Sequence, residues 1–262
     1  MRQPTRRSLL SAIIVLGAST ACLDVSGVIQ PELTILPGAP EGWTSFSQVG
    51  GIGTTSTDKK FGTQAAYLSS AGQIFPSNYL LVQYVRADSY RGKRMQLSAW
   101  FKPRNVTNAV YSGLWMRIDG PGVIQGFDDM SRRQITGFGD WRKISVVLDV
   151  PEDAIGIAFG TQFQAYNTLL VDEMTLVEVS ETVNTTNLLG EPQEADRDSV
   201  TMVEAYAERP DVPVNMGFEI SAPASGAPLG ARSSHTGFAY ATLTRPTGAS
   251  ASLRDRVRRT MW

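Results

Sequence analysis

Arg94-Met95-Gln96-Leu97-Ser98-Ala99-Trp100-Phe101 alternates polar and apolar side chains without a break, and Gly113-Leu114-Trp115-Met116-Arg117-Ile118-Asp119 does the same further along the chain. Successive side chains of a β-strand point to opposite faces. Met95, Leu97, Ala99 and Phe101 therefore share one face, as do Leu114, Met116 and Ile118. Ile144, Val146, Leu148 and Val150 make a third apolar set, while Ile155, Ile157, Phe159 and Phe163 alternate with Gly156, Ala158, Gly160 and Gln162. Several such strands, with turn signals roughly every 8–12 residues, predict an all-β antiparallel β-sandwich or jelly roll. In the closing strand, Leu169 and Val171 have one parity and Met174 and Leu176 the other, across Asp172-Glu173. A β-bulge at that dipeptide returns all four to the core.

The ends of the chain carry different information. Thr5-Arg6-Arg7-Ser8-Leu9-Leu10 sets paired arginines before an apolar run from Leu9 to Ala18, and small residues precede Cys22. A positive start, a short apolar run and a small-residue exit define a signal peptide over residues 1–22. The paired arginines suit a twin-arginine signal. Ser19-Thr20-Ala21-Cys22 resembles a bacterial lipobox, with serine where that motif usually has leucine, and makes Cys22 the expected lipidation site. An ordinary cleavage site near Ala21 is the alternative. Cys22 is the only cysteine of 262 residues, so the chain has no internal disulfide and must be stabilised by its core. The expected location is therefore the cell envelope or periplasm, with a membrane anchor through Cys22. Cleavage before Cys22 removes three of the 24 basic residues and no acid, leaving 21 against 25 and a net charge of −4. That mild acidity argues against nucleic acid, or an anionic membrane surface, as the main partner.

Between the ends, residues 23–41 read as a proline-containing tether and Gly42 to Val179 as the sandwich domain. Residues 180–213 are polar and acidic and read as a linker, in which only Val200 to Ala207 has the makings of a brief regular element. Residues 214–262 hold Asn215-Met216-Gly217-Phe218-Glu219 and a stretch that aligns with Lys60 to Ser69. They read either as an incomplete second module with a disordered basic tail or as chance similarity.

Tyr90-Arg91-Gly92-Lys93-Arg94, Gly113 to Gly120, Phe127-Asp128-Asp129-Met130, Asp140-Trp141 and Val147-Leu148-Asp149-Val150-Pro151 together resemble a bacterial galactose-binding-like, or carbohydrate-binding-module-like, jelly-roll domain. Such modules occur attached to transcriptional regulators or alone in exported proteins. The resemblance spans Gly42 to Val179, and Asn215 to Glu219 is similar to the Asn-x-x-Phe-Glu opening of such modules. It implies the jelly-roll sandwich fold, and no particular ligand. It also implies that a structural calcium ion is compatible with the fold, with Asp58, Asp172 and Glu173 as the acidic candidates for the oxygen ligands calcium needs.

The candidate ligand residues are those that alternate with the core set: Gln96, Trp100, Trp115, Arg117, Asp119 and Gln162. Indole stacks on the C–H face of a sugar, while amide, guanidinium and carboxylate groups satisfy its hydroxyls. Gly156, Ala158 and Gly160 leave a small-residue floor between them. The competing reading has the two indoles covered by loops and Arg117 paired with Asp119 or Asp128. Exposed indoles favour a sugar face; buried ones favour a structural or interaction role. Trp43 and Trp141 sit near strand starts and read as packing residues. No nucleophile elbow, zinc motif or phosphate loop is present, and the single histidine, His235, has no partner motif. Asp119 with Asp128 or Asp129 is the one carboxylate pairing that would suit a glycoside hydrolase. The sequence thus predicts a non-catalytic envelope protein that binds carbohydrate or a similar small polar ligand. The alternative is a structural or protein-interaction module.

Overall fold

The computed structural model describes residues 32–47, 51–70 and 72–221. Its elements are β1 (Ile35–Pro37), β2 (Thr44–Phe46), β3 (Ile52–Thr55), β4 (Ala65–Ser69), β5 (Tyr79–Arg86), β6 (Lys93–Gly120), β7 (Val123–Asp128), β8 (Arg142–Val150), β9 (Gly156–Val179), β10 (Gln193–Glu194) and the helix α1 (Ser199–Ala207). All the strand pairs are antiparallel.

β6 and β9 pair along almost their whole length and fold over together, so that each belongs to two sheets. Sheet A has the order β1-β3-β4-β9-β6-β8 and uses the first part of β6 and the last part of β9. Sheet B has the order β2-β5-β9-β6-β7-β10 and uses the other halves. The fold-over falls where the β6–β9 register shifts, between Arg104 and Tyr111. Asn105, Asn108 and Asn167 adopt φ of 59°, 50° and 71° there. Asparagine tolerates this left-handed region better than other side-chain-bearing residues. The Asn167 side-chain amide donates to the Asn105 carbonyl at 2.7 Å and ties the two bends together.

The alternating sets meet between the sheets. Leu97, Ala99 and Phe101 of sheet A and Leu114, Met116 and Ile118 of sheet B enter one core with Leu81, Val85, Ile157, Phe159 and Phe163. The fold is an all-β antiparallel β-sandwich. The bulge in β9 lies where the parity changes. Ser98 pairs with Thr175 and Trp100 with Asp172, so β9 has one extra residue, and Glu173 takes φ 48°. Leu169, Val171 and Met174 are consequently buried together, with Leu176 packed beside them.

The segments outside Gly42 to Val179 also have defined places. Ile35–Pro37, within the expected tether, pairs with β3 at the edge of sheet A. The expected linker is a belt of main-chain contacts. Thr186 N donates to Val147 O at 2.8 Å and Leu188 N to Phe127 O at 2.8 Å, which joins the β8 and β7 edges. β10 then adds to β7. Asp198 caps α1 by accepting from Thr201 N at 2.9 Å, and Met202 and Tyr206, one turn apart, bury the inner face of the helix.

Residues 214–221, expected to open a second module, pack on this same sandwich. Phe218 is fully buried, 5.1 Å from the Trp43 ring centroid to centroid. Trp43 Nε1 donates to Asn215 O at 3.0 Å, Met174 N to Met216 O at 2.9 Å and Gln64 Nε2 to Glu219 O at 2.9 Å. The physical reason is a single apolar anchor whose neighbours contribute main-chain hydrogen-bonding groups, which carry no composition signal. The signal peptide, Cys22, His235 and residues 222–262 lie outside the described residues.

Phe218→Ala should therefore lower the stability of the sandwich itself, by about 3–5 kcal/mol. Urea unfolding followed by tryptophan fluorescence checks this; an unchanged midpoint would mean that 214–221 does not belong to the cooperative unit.

Candidate ligand-binding face

The outer face of sheet B gathers four of the six candidate ligand residues. Along β6, Trp115, Arg117 and Asp119 alternate with the core residues Leu114, Met116 and Ile118. The register places Val82, Gly160 and Trp115 in one cross-strand row. Tyr84, Ala158, Arg117 and Phe127 form the next row, and Arg86, Gly156 and Asp119 the one after. Gln162 stands in the row of Leu80 and Gly113. Gly156, Ala158 and Gly160 therefore form a low floor, with larger side chains on β6 and β5 to either side. At Gly160 the constraint is close approach, since a Cβ there would stand 2.0 Å from the Leu81 carbonyl oxygen.

One end of this face is charged and closed. Arg117 Nε lies 2.7 Å from Asp119 Oδ1, and its Nη2 donates to Oδ2 at 2.9 Å. Asp119 is fully buried. Tyr206, from α1, reaches across and donates its phenol O–H to Asp119 Oδ2 at 2.6 Å. Its ring lies on Gly156, where a Cβ would come within 2.0 Å of the ring. Tyr84 meets Tyr206 edge-on, centroids 6.3 Å apart. Burial, the largest influence, would lower the Arg117 pKa, but the Asp119 carboxylate together with Tyr206 and Tyr84 outweighs it and holds the guanidinium above its usual range. Burial, with Asp119 adding to it, raises the Tyr206 phenol well above the ordinary tyrosine value. Tyr84 is pushed up to about 12, chiefly by burial.

The other end is less polar. Trp115 is 5 % exposed and packs with Leu80, Val82 and Tyr84. Its indole N–H is buried and finds no hydrogen-bond acceptor among the described residues. An unmet donor in such a place is costly. Gln162 Nε2 donates to Asn78 Oδ1 at 3.1 Å, which fixes the amide at this end. Trp115 is thus a buried wall of the face and not an exposed stacking platform, the outcome that on the exposure criterion favours a structural or interaction role for this indole over sugar stacking.

Gln96 and Trp100 are on the outer face of sheet A, the opposite side of the sandwich from Trp115 and Arg117. They cannot join the same ligand site. β6 has the same alternation in both halves, but its fold-over points the two outward sets in opposite directions. Trp100 is half-buried, with Lys60 Nζ 4.5 Å from its ring centroid and Phe61 edge-on at 6.0 Å.

Asp58, Asp172 and Glu173 do not form a calcium cage. Asp172 Oδ2 accepts from Lys60 N at 2.7 Å and Phe61 N at 2.9 Å, and its Oδ1 accepts from Glu173 N at 2.7 Å. Burial raises the Asp172 pKa, and these three N–H groups oppose that rise. Asp58 holds the Lys102 ammonium at 2.9 Å and 3.0 Å from its two oxygens. Among the described residues no group of three His, Cys, Asp or Glu is placed to hold a metal ion. The second carboxylate considered for hydrolysis, Asp128, accepts from Arg133 Nη1 at 3.0 Å and from Met130 N at 2.9 Å.

Tyr84, Asn78 and Tyr206 are members of this face that the sequence reading missed. Tyr84 lies in a strand that is apolar on both parities, because both of its faces are covered. Tyr206 had one available signal, its i,i+4 spacing from Met202 within the stretch Val200 to Ala207 expected to be briefly regular.

No family model matches the chain. It is 38 % identical over 141 residues to the uncharacterized HTH-type transcriptional regulator YbfP of Bacillus subtilis (strain 168), a match covering 53 % of this chain and 42 % of that protein. The chain thus spans less than half the length of this curated relative. Similar solved structures include a Stig cyclase, Fisc, from Fischerella sp. TAU, with 12 % identity, TM-score 0.41, and 55 % and 88 % of the two chains covered. Others are TmCBM61 in complex with β-1,4-galactotriose (13 %, TM-score 0.39, 54 % and 92 % covered) and the CBM22-1 xylan-binding domain of Paenibacillus barcinonensis Xyn10C (14 %, TM-score 0.36, 55 % and 89 % covered).

Two outcomes follow from the charged end. Arg117→Ala leaves Asp119 buried without its cation and should cost about 3–5 kcal/mol by chemical unfolding; a loss below about 1 kcal/mol would contradict a buried pair. Tyr84 and Tyr206 have raised folded-state pKa values, so their contribution to stability is complete below about pH 10 and is lost as pH rises through the folded values. The melting temperature should fall above about pH 10, and Tyr206→Phe should flatten that fall.

Proposed function

We propose that this protein is a non-catalytic binding module of the cell envelope that recognises carbohydrate, or a similar polyhydroxylated ligand, on the outer face of sheet B. The observation that carries the reading is the Trp115 indole N–H: a buried donor with no acceptor among the described residues, on a face whose floor is Gly156, Ala158 and Gly160. A ligand hydroxyl that displaces the side chains packed over the indole would supply the missing acceptor. Gln162 and Arg117, on the same face, contribute further polar groups around it. A mostly apolar concavity with a few convergent polar groups is the usual form of a small-molecule site.

The non-catalytic assignment is supported by the state of the carboxylates. Asp119 is bound by Arg117 and Tyr206, and Asp128 by Arg133. Both are engaged by side chains of the protein itself, whereas glycoside hydrolysis needs two carboxyl groups facing the scissile bond. The envelope location rests on residues 5–22, where the arginine pair, apolar run and Cys22 read as an export and lipidation signal.

A second reading, a protein-interaction module, is favoured by the opposite face. There Trp100 is half-buried beneath Lys60, next to Phe61, which is 44 % exposed.

Isothermal calorimetry of the full chain against a panel of neutral and acidic oligosaccharides separates these readings. Trp115→Phe keeps an aromatic ring but removes the N–H, and should weaken binding about 10-fold, one hydrogen bond's worth. Trp100→Ala should leave it unchanged. Loss of binding in Trp100→Ala alone would move the site to sheet A, and no binding to any saccharide would remove the carbohydrate reading.

A further inference from the structure

We infer that the Asp119 end of this face is a second ligand subsite, built for a hydroxylated six-membered ring, which α1 fills in this structure with Tyr206. The inference rests on reading the outer face of sheet B as the ligand face.

Tyr206 is held as such a ligand would be held. Its ring rests against bare backbone at Gly156, where any side chain would collide with it. Tyr84 forms an aromatic wall at 66° to the ring. The Tyr206 hydroxyl donates to Asp119 Oδ2, while Arg117 grips the same carboxylate from the other side. A floor without side chains, an aromatic wall and an oriented carboxylate acceptor would suit a sugar ring as well as a phenol. From Trp115 to Asp119 is four strand residues, about 13 Å, which leaves room for two rings side by side. The whole face would then accommodate an oligosaccharide, with the Trp115 end taking one ring and the Asp119 end the next.

The element that supplies Tyr206 is weakly held. α1 has nine residues, and only Met202 and Tyr206 are buried. Isolated helices of this length are marginal in water, and the β-branched Val200, Thr201 and Val203 do not improve it. Val200 is 63 % exposed and Val203 46 %, so its apolar side chains gain little from docking. The segments on either side have their own main-chain contacts, β10 on β7 before the helix and Arg86 N donating to Pro210 O at 3.0 Å after it. α1 can therefore lift as a strap between fixed points while the belt stays in place.

Phenol and toluene, which differ here by the hydroxyl that reaches Asp119, test the subsite without knowledge of the natural ligand. In Tyr206→Gly the vacated subsite should take up phenol at millimolar concentration, raising the melting temperature by about 2–4 °C, with little effect of toluene. In the unaltered full chain, phenol should compete with Tyr206 and speed amide hydrogen exchange over residues 199–207 severalfold, with toluene again inactive. The second measurement stands even if the glycine variant does not fold. Equal responses to the two probes, or no acceleration over α1, overturn the proposal. Phenol responses without oligosaccharide binding keep the subsite and remove the carbohydrate reading. Oligosaccharide binding weakened in Trp115→Phe, with no phenol response, keeps that reading and removes the subsite.

Discussion

The continuous pairing of β6 with β9 through a shared bend is the constraint on which the rest of the structure depends. Neither strand ends where the sandwich turns. Both fold over at Asn105, Asn108 and Asn167, with the Asn167 amide hydrogen-bonded to the Asn105 carbonyl. The hydrogen-bond ladder of sheet A thus passes into that of sheet B, and the core sets Met95 to Phe101 and Leu114 to Ile118 face each other. The bend also divides the polar residues. Side chains that leave the core from the first half of β6 and those that leave it from the second half reach opposite surfaces. For this reason Trp115, Arg117, Asp119 and Gln162 form one site while Trp100 and Gln96 belong elsewhere.

The belt from residue 180 to 221 completes what the ribbon begins. It is held mainly by main-chain hydrogen bonds and a few anchors, Met202, Tyr206 and Phe218. Tyr206 connects it to the buried Arg117–Asp119 pair, so the C-terminal segment and the electrostatics of sheet B are one system. Removing one partner of a buried pair is more damaging than the pair is stabilising. The phenol O–H, kept protonated by burial, adds a hydrogen bond to a carboxylate that is shielded from solvent.

Much of the fold was legible in the sequence because strand parity is a direct record of which side faces the core. Leu97, Leu114, Met116, Val146 and Leu148 declare themselves in that way, and the parity change around Asp172-Glu173 marks the bulge. Sheet membership left no such record, since the alternation on either side of Asn105 is the same. β5 gives no parity because sheet B is covered on both faces along it. The belt read as a linker because polar composition does not distinguish a solvated chain from one docked through its backbone. For the site, Arg117 and Asp119 were legible as same-face neighbours on one strand. The closing of their end by Tyr206 was not, since it depends on a helix some 87 residues away in sequence.

The central claim is that ligand meets the outer face of sheet B at Trp115. Each tryptophan indole N–H gives a separate signal in a ¹⁵N–¹H spectrum, so titration with an oligosaccharide that binds reports the face directly. The Trp115 indole signal should shift progressively with ligand concentration, as its donor finds an acceptor, with the Trp100 signal unmoved. A shift of Trp100 with Trp115 unmoved would contradict that claim.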